Sequence, residues 1–184
     1  MIRPPIIGIS GRARVGKDTL AEAVLRLGAA TYRYGFADPL RRMLHAGFGI
    51  DLADAHWIAR KDLPLPEYGR SPRQMLQTLG TEWGRSLVCR DVWVRLANDE
   101  FLTRGPGMCI TDVRFDNEAD WIRSNGGMVI HITRTRASMV NAHVSEDGII
   151  RHASDRAVAN DGSLNDLRIA AYDLFHATPA EQSP

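Results

Sequence analysis

The chain has 184 residues, 44% hydrophobic and 24% charged, with a formal net charge of +1. That length suits one α/β domain with a sizeable core and room for a small insert. The near-neutral charge gives no ground for non-specific nucleic-acid or acidic-membrane binding, and no apolar run approaches the roughly 20 residues that span a bilayer.

Cys89 and Cys109 lack a metal-ligand spacing, and the first ten residues lack the charged and apolar regions of a signal peptide. A reduced, cytoplasmic protein is expected, in the host cytoplasm if the gene belongs to a phage. Of 23 basic residues only Lys17 and Lys61 are lysines. Where arginine is the default, a retained lysine points to a need for a compact ammonium group.

Taken in order, residues 6–9 read as a buried strand and residues 11–16 as a turn. From Lys17, Leu20, Val24 and Leu27 recur at helical spacing, which predicts a helix ending near Gly28. A second strand is predicted over 31–36. Asp38 followed by Pro39 reads as an N-cap and first helical residue. Residues 49–70 are irregular. Ser71-Pro72 opens another helix, with Met75, Leu79, Trp83 and Leu87 as its apolar face and Arg73, Gln77, Thr81 and Arg85 as a polar stripe. Asp91 caps a further helix through Phe101. Residues 108–111 form a third strand ending at Asp112. A helix is predicted over 117–124, a fourth strand over 128–133, and a short fifth over 157–159. Ser163 with Asp166 resembles a capping box for a last amphipathic helix. This alternation predicts an α/β fold with a mostly parallel sheet.

Gly11-Arg12-Ala13-Arg14-Val15-Gly16-Lys17-Asp18-Thr19 follows a predicted strand and opens a helix. The pattern is a phosphate-binding P-loop. Its glycines let backbone N–H groups close around phosphate oxygens, and the helix N-terminus adds its positive end. Gly11, Arg14, Gly16, Lys17, Asp18 and Thr19 are therefore assigned to ATP, with Lys17 as the point charge on the β- and γ-phosphates. Asp18 stands where Ser or Thr usually ligates magnesium. A carboxylate can also bind that ion, so Asp18 and Asp112 are the candidate metal residues. Asp112 ends a strand in the manner of a Walker B acid.

These segments resemble the phage deoxynucleoside monophosphate kinases. The resemblance rests on Gly-Lys-Asp-Thr (16–19), Phe-Ala-Asp-Pro-Leu-Arg (36–41), Ser-Pro-Arg-Gln-Met-Leu-Gln-Thr-Leu-Gly-Thr-Glu (71–82) with Arg85, Thr-Asp-Val-Arg-Phe-Asp-Asn-Glu-Ala (111–119) and Asn-Asp-Gly-Ser-Leu (160–164). The last piece also looks like dephospho-coenzyme A kinases. The resemblance implies a P-loop nucleoside monophosphate kinase fold with a parallel five-stranded sheet. It implies a core (1–48, 88–134 and 156–178), a helical monophosphate-binding region (49–87) and a lid (135–155). It further implies ATP with Mg2+, a deoxynucleoside monophosphate as acceptor, and a homodimer. The alternatives are a kinase for another small acceptor such as dephospho-coenzyme A, and a non-catalytic ATP-binding switch.

Phosphoryl transfer needs in-line positioning and cations around the moving group. Arginine suits this because its fork binds two phosphate oxygens at once. Arg73 and Arg85 are assigned to the acceptor phosphate, with Arg42 and Arg114 beside them. Gln74 and Gln77 are assigned to the base, and Asp38 to the acceptor sugar or phosphate, a role compatible with an N-cap. Glu118 joins this substrate group. Arg134 and Arg136, which follow the fourth strand, are expected at the transferred phosphate once the lid closes. Trp83 is expected in the core rather than on a base. His143 and His152 are expected to be solvated loop residues rather than a zinc pair.

Overall fold

A computed structural model of the chain describes residues 3–135 and 148–176. The strands are β1 (Ile6–Ser10), β2 (Tyr32–Tyr34), β3 (Met108–Val113), β4 (Met128–Thr133) and β5 (Arg156–Ala159). The helices are α1 (Lys17–Arg26), α2 (Asp38–Phe48), α3 (Ala55–Arg60), α4 (Pro72–Gln77), α5 (Val92–Arg104), α6 (Asp116–Ser124) and α7 (Leu164–His176), with a π-helix at Thr78–Val88 running on from α4. Two compact units emerge. The described residues up to Gly35 and from Asp99 onward form the first, and Phe36–Asn98 form the second. The 49–87 stretch lies within the second unit.

In the first unit the five strands pair in parallel in the order β2-β3-β1-β4-β5. This is the expected five-stranded sheet. Every residue of the central β1 is buried, as a strand covered on both faces requires. One core joins Ile7, Ile9 and Ile130 of the sheet to Leu20 and Val24 of α1 and to Leu167, Ala171 and Phe175 of α7. Gly8 lets α6 approach closely, because a Cβ there would lie 2.5 Å from Ile122 Cδ1. The capping box of α7 is present: Asp166 accepts from Ser163 N at 2.7 Å, and Ser163 Oγ accepts from Asp166 N at 3.3 Å.

The second unit packs around Leu44, Ile50 and Leu65, with Met75, Leu76 and Leu79 against them. Residues 49–70 are more ordered than their sequence suggests. Asp54 caps α3 by accepting from His56 N at 2.8 Å. Asp38 is the first residue of α2 rather than its cap. Ala37 holds the cap position, with no side-chain capping bond.

The largest correction concerns the segment after Ser71. The spacing by four assumes an α-helix throughout, but from Thr78 the helix widens into eleven residues of π form. A π turn takes about 4.4 residues, so positions four apart drift off one face. Met75 and Leu79 reach the core, whereas Trp83 is 41% exposed and Leu87 79% exposed. Trp83 is therefore not the core residue expected. The buried residues of the π segment are Gly80 and Gly84. Trp93 of α5 fills the space above them: its Nε1 donates to Gly80 O at 2.7 Å, and a Cβ on Gly84 would lie 2.2 Å from its Cζ2.

Candidate active site

The P-loop joins β1 to α1, as its sequence context requires. Lys17 Nζ donates to Gly11 O and to Arg12 O, both at 2.7 Å. The ammonium is thereby folded back over the mouth of its own loop. Gly16 stands at φ 103°, in the left-handed region, and a Cβ there would lie 2.5 Å from Asn160 Nδ2. Arg14, at φ 64°, is the one non-glycine with positive φ among the described residues. Such backbone persists where its surroundings enforce it, and it gathers at ligand sites.

One enforcing contact escaped the sequence reading. Asn160, 8% exposed, follows β5, and its Nδ2 donates to Val15 O at 2.8 Å while its own N–H donates to Thr133 O. The side chain braces the loop from 145 residues away. The signal available was the Asn-Asp-Gly-Ser-Leu segment, which marked Asn160 without giving it a role. The next residue, Asp161, accepts from Thr135 N at 2.7 Å and Oγ1 at 2.8 Å.

A cavity of about 370 Å³ opens at this loop. Arg14, Gly16, Lys17, Asp18 and Thr19 line one side of it. Arg134, Asn160, Gly162 and Leu164 complete the lining. All six residues assigned to ATP except Gly11 thus border one space, and Arg134 joins them. Gly11 borders a neighbouring cavity. Arg136 lies outside the described residues, as do His143 and positions 136–147 of the expected lid.

The candidate metal residues differ in their surroundings. Asp18 is exposed and forms an ion pair with Arg33 of β2. Asp112 is half-buried near the end of β3, which runs on to Val113. Among the described residues no group of three or more His, Cys, Asp or Glu side chains could hold an ion. This donor set fits a magnesium ion that arrives with a nucleotide and keeps most of its waters, needing only one or two carboxylates from the protein.

Two residues assigned to substrate are engaged in shaping backbone. Glu118 is 2% exposed, and its Oε2 accepts from Arg114 N at 2.8 Å and Phe115 N at 3.1 Å. It thereby fixes the bend that carries Arg114. Gln74 completes a capping box with Ser71: Ser71 N donates to Gln74 Oε1 at 2.9 Å, and Gln74 N donates to Ser71 Oγ at 3.2 Å.

The other acceptor candidates belong to the second unit. Asp38 pairs with Arg41 at 2.5 Å. Arg42 is exposed on α2. Arg73 Nε pairs with Asp62. Arg85 Nη1 donates to Arg90 O at 3.1 Å. Gln77 is half-buried at the last position of α4. Because the π-helix starts immediately after Gln77, Arg85 leaves the stripe it would share with Arg73 on an α-helix.

The first unit also holds a buried ionic cluster. Asp155, 4% exposed, accepts from Arg123 Nε at 3.0 Å and Nη2 at 2.7 Å, from His152 N at 2.9 Å, and lies 2.9 Å from His131 Nε2. Burial pulls its carboxyl upward, yet the hydrogen bonds from Arg123, His152 and His131 and the Arg123 charge prevail and hold it well below the usual carboxylate range. Arg123 Nη2 also donates to Ile150 O, and Asp116 accepts from Ile150 N at 2.8 Å. Cys109 in β3 behaves oppositely: burial pushes its thiol up to about 12 against a smaller pull from Arg33, so it is an inert core residue.

Comparison with known proteins agrees with this geometry. The sequence profile of the deoxynucleotide monophosphate kinase family matches residues 66–170. A protein of Acanthamoeba polyphaga mimivirus, provisionally named a deoxynucleotide monophosphate kinase, is 31% identical over 156 residues, covering 77% of this chain and 80% of its own length. The deoxynucleotide monophosphate kinase of Enterobacteria phage T4 is 33% identical over 101 residues, 53% of this chain and 42% of that protein. The deoxynucleoside-5'-monophosphate kinase of Escherichia phage T5 is 30% identical over 113 residues, 56% of this chain and 45% of that protein. The matches thus span most of the mimivirus relative but less than half of each of these phage relatives. In fold, the chain resembles a gluconokinase from Sinorhizobium meliloti 1021, with a TM-score of 0.53 at 12% identity and full coverage of both chains.

Proposed function

The chain belongs to the deoxynucleotide monophosphate kinase family, and from that premise we propose that it passes the terminal phosphate of ATP to a deoxynucleoside monophosphate, giving ADP and a deoxynucleoside diphosphate. The observation that carries this reading is Lys17, whose Nζ is poised on Gly11 O and Arg12 O at the wall of a cavity also lined by Arg14, Asp18, Thr19 and Arg134. Arriving phosphates offer the ammonium stronger, charged acceptors than two neutral carbonyls. Lys17 then swings onto the β- and γ-phosphates, while the N-terminus of α1 and the loop N–H groups take the remaining oxygens.

Arg134 neutralises charge on the phosphoryl group in flight, as does Arg136. Asp18 and Asp112 would hold Mg2+ with the nucleotide, and the ion would supply positive charge against that of the phosphates. Arg33 keeps the Asp18 carboxylate from pointing an uncompensated negative charge at the triphosphate. In the second unit, Arg73, Arg85 and Arg42 serve the acceptor phosphate, with Asp38, Gln74 and Gln77 for its sugar and base. Arg114 belongs to the first unit, where Glu118 holds its backbone N–H. No strong general base is required, because the attacking phosphate oxygen is ionised at neutral pH. Among the described residues no helix is long and apolar enough to cross a membrane, and the proposed setting is the cytoplasm, as a homodimer.

The test is a coupled ADP-release assay with ATP and magnesium against the four deoxynucleoside monophosphates, their ribose counterparts and dephospho-coenzyme A. Turnover with at least one deoxynucleotide is expected. Turnover with dephospho-coenzyme A alone, or ATP binding without turnover on any acceptor, would overturn the reading.

A further inference from the structure

Arg134 leaves the end of β4 at the wall of the cavity assigned to ATP, and two consecutive residues after β5 hold the chain on either side of it. The ladder between β4 and β5 ends at Thr133 and Ala159. Just beyond it, Asn160 N donates to Thr133 O at 2.8 Å, which ties the residue before Arg134. The residue after Arg134 is Thr135. Its N donates to Asp161 Oδ1 at 2.7 Å, and its Oγ1 donates to Asp161 Oδ2 at 2.8 Å. The Asp161 carboxylate thus carries on, by side chain, the pairing that the two strands have ended. Two charge-assisted bonds to one residue fix its direction as well as its position.

The anchor is itself held on both sides. Asn160 braces Val15 O of the P-loop. Ser163 N donates to Asp166 Oδ2 at 2.7 Å, and a Cβ on Gly162 would lie 2.5 Å from that same oxygen. One short loop therefore sets the P-loop and the backbone around Arg134 relative to each other.

A carboxylate beside this cavity is repelled by any phosphate that enters it. Its neighbours Asn160 and Gly162 line the cavity, whereas Asp161 does not; its oxygens accept from Thr135 instead. Thr135 and Asp161 are both exposed. Water offers each of them competing partners, so the net gain to folding is small. What the pair does secure is the root of the Arg134 side chain. A cation that must meet a moving phosphoryl group gains from a fixed root, because a misplacement of about 1 Å can cost a hundredfold in rate.

We propose that Asp161 is a positioning residue for Arg134, fixing it through Thr135 so that the guanidinium meets the phosphoryl group in transfer. The proposal rests on reading the cavity as the ATP site and Arg134 as a cation on the transferred group.

The experiment is a double-mutant cycle on the full chain, in steady state with ATP, magnesium and a deoxynucleoside monophosphate. Asp161→Ala is expected to lower kcat by about tenfold, with KM for ATP little changed. Asp161→Asn keeps an acceptor for Thr135 N and is expected to recover most of that loss. Thr135→Val removes only the hydroxyl bond and is expected to lower kcat by a smaller factor. In the Arg134→Ala background, Asp161→Ala is expected to have no further effect, because the group it places is gone. A thermal melt checks the fold of each variant; should Asp161→Ala unfold, Thr135→Val carries the same cycle. An equal fall in kcat with and without Arg134, an unchanged kcat, or a rise in KM for ATP alone would overturn the proposal. Absence of turnover in the unaltered chain would instead overturn the kinase reading, and the proposal with it.

Discussion

Val15 in the first unit and Gly80 in the second each give a backbone carbonyl to a distant side chain. Asn160 Nδ2 donates to Val15 O at 2.8 Å, and Trp93 Nε1 donates to Gly80 O at 2.7 Å. Each brace sits over a glycine that excludes a Cβ, Gly16 beneath Asn160 and Gly84 beneath Trp93. The purposes differ. Asn160 is small, and it holds the P-loop while lining a cavity that stays open beside it. Trp93 fills the space it reaches, over the glycines of the π-helix. The same device, a glycine under a braced carbonyl, thus borders an open cavity in one unit and fills a packed space in the other.

That contrast predicts that damage to the first region appears in activity and damage to the second in stability. The largest expected effect is Lys17→Ala. Removing the mobile cation should lower kcat/KM by about a thousandfold or more, as loss of transition-state charge stabilisation does. Its melting temperature should stay within about 2 °C of wild type, a shift under 1 kcal/mol for a chain of this size. A coupled assay beside a thermal melt checks both. A large loss of stability would show that Lys17 holds the fold together and would erase the contrast.

Gly84→Ala is the counterpart. Its Cβ would fall 2.2 Å from Trp93 Cζ2 and 2.8 Å from Cε2. Overpacking of this kind costs about 3 kcal/mol, read as a lower denaturant midpoint. Gly16→Ala, strained at positive φ and pressed on Asn160, should instead weaken ATP binding more than it lowers the midpoint. Equal midpoints for the two variants would break the comparison.

The P-loop was legible in the sequence because its determinants are local: a strand, two glycines, a lysine and a helix within fifteen residues. The strands that cradle it were legible for the same reason. Asn160 was not, since its contact with Val15 depends on how β5 docks beside β4. The π-helix was hidden because Met75, Leu79, Trp83 and Leu87 satisfy an α period, and its contact with Trp93 comes from another helix. Gly80 and Gly84, four apart, were the available sign of a close approach. Gln74 and Glu118 teach a different lesson. Polar residues three positions into a helix were read as ligand contacts when they also cap backbone, and Ser71-x-x-Gln74 carried the capping signature openly.

Acid should act on the first brace and spare the second. Asp155 anchors the lead into β5 to Arg123 and His131, and Asn160 follows the strand's end. Its carboxyl is depressed in the folded chain. A depressed carboxylate contributes stability above its unfolded pKa, about 4, and loses it as pH falls through the folded value. Stability should therefore fall as pH drops below about 4, and this part of the fall should vanish in Asp155→Asn. That variant should cost about 3 kcal/mol at neutral pH, because it leaves Arg123 short of its buried partner. Denaturant titrations from pH 7 to 3 measure both. An unchanged acid limb in Asp155→Asn would remove Asp155 from the account.

The finest test compares the two braces directly, because each variant removes one hydrogen bond and little else. Trp93→Phe keeps an aromatic ring over Gly84 but removes the indole hydrogen bond to Gly80 O. Asn160→Ala does the same to Val15 O. Losing one hydrogen bond costs about 1 kcal/mol, so the two should lose similar stability. Their kinetics should separate them. Asn160→Ala frees the loop that carries Arg14 and Gly16 at positive φ, so part of the binding energy of ATP must go into reordering it. KM for ATP should rise several-fold, with KM for the acceptor little changed. Trp93→Phe lets the helix relax toward α form, which turns Arg85 relative to Arg73 and should raise KM for the acceptor instead. If both variants raised the same KM, the two braces would be serving one site. The division of labour between Val15 and Gly80 would then be wrong, however similar their geometry.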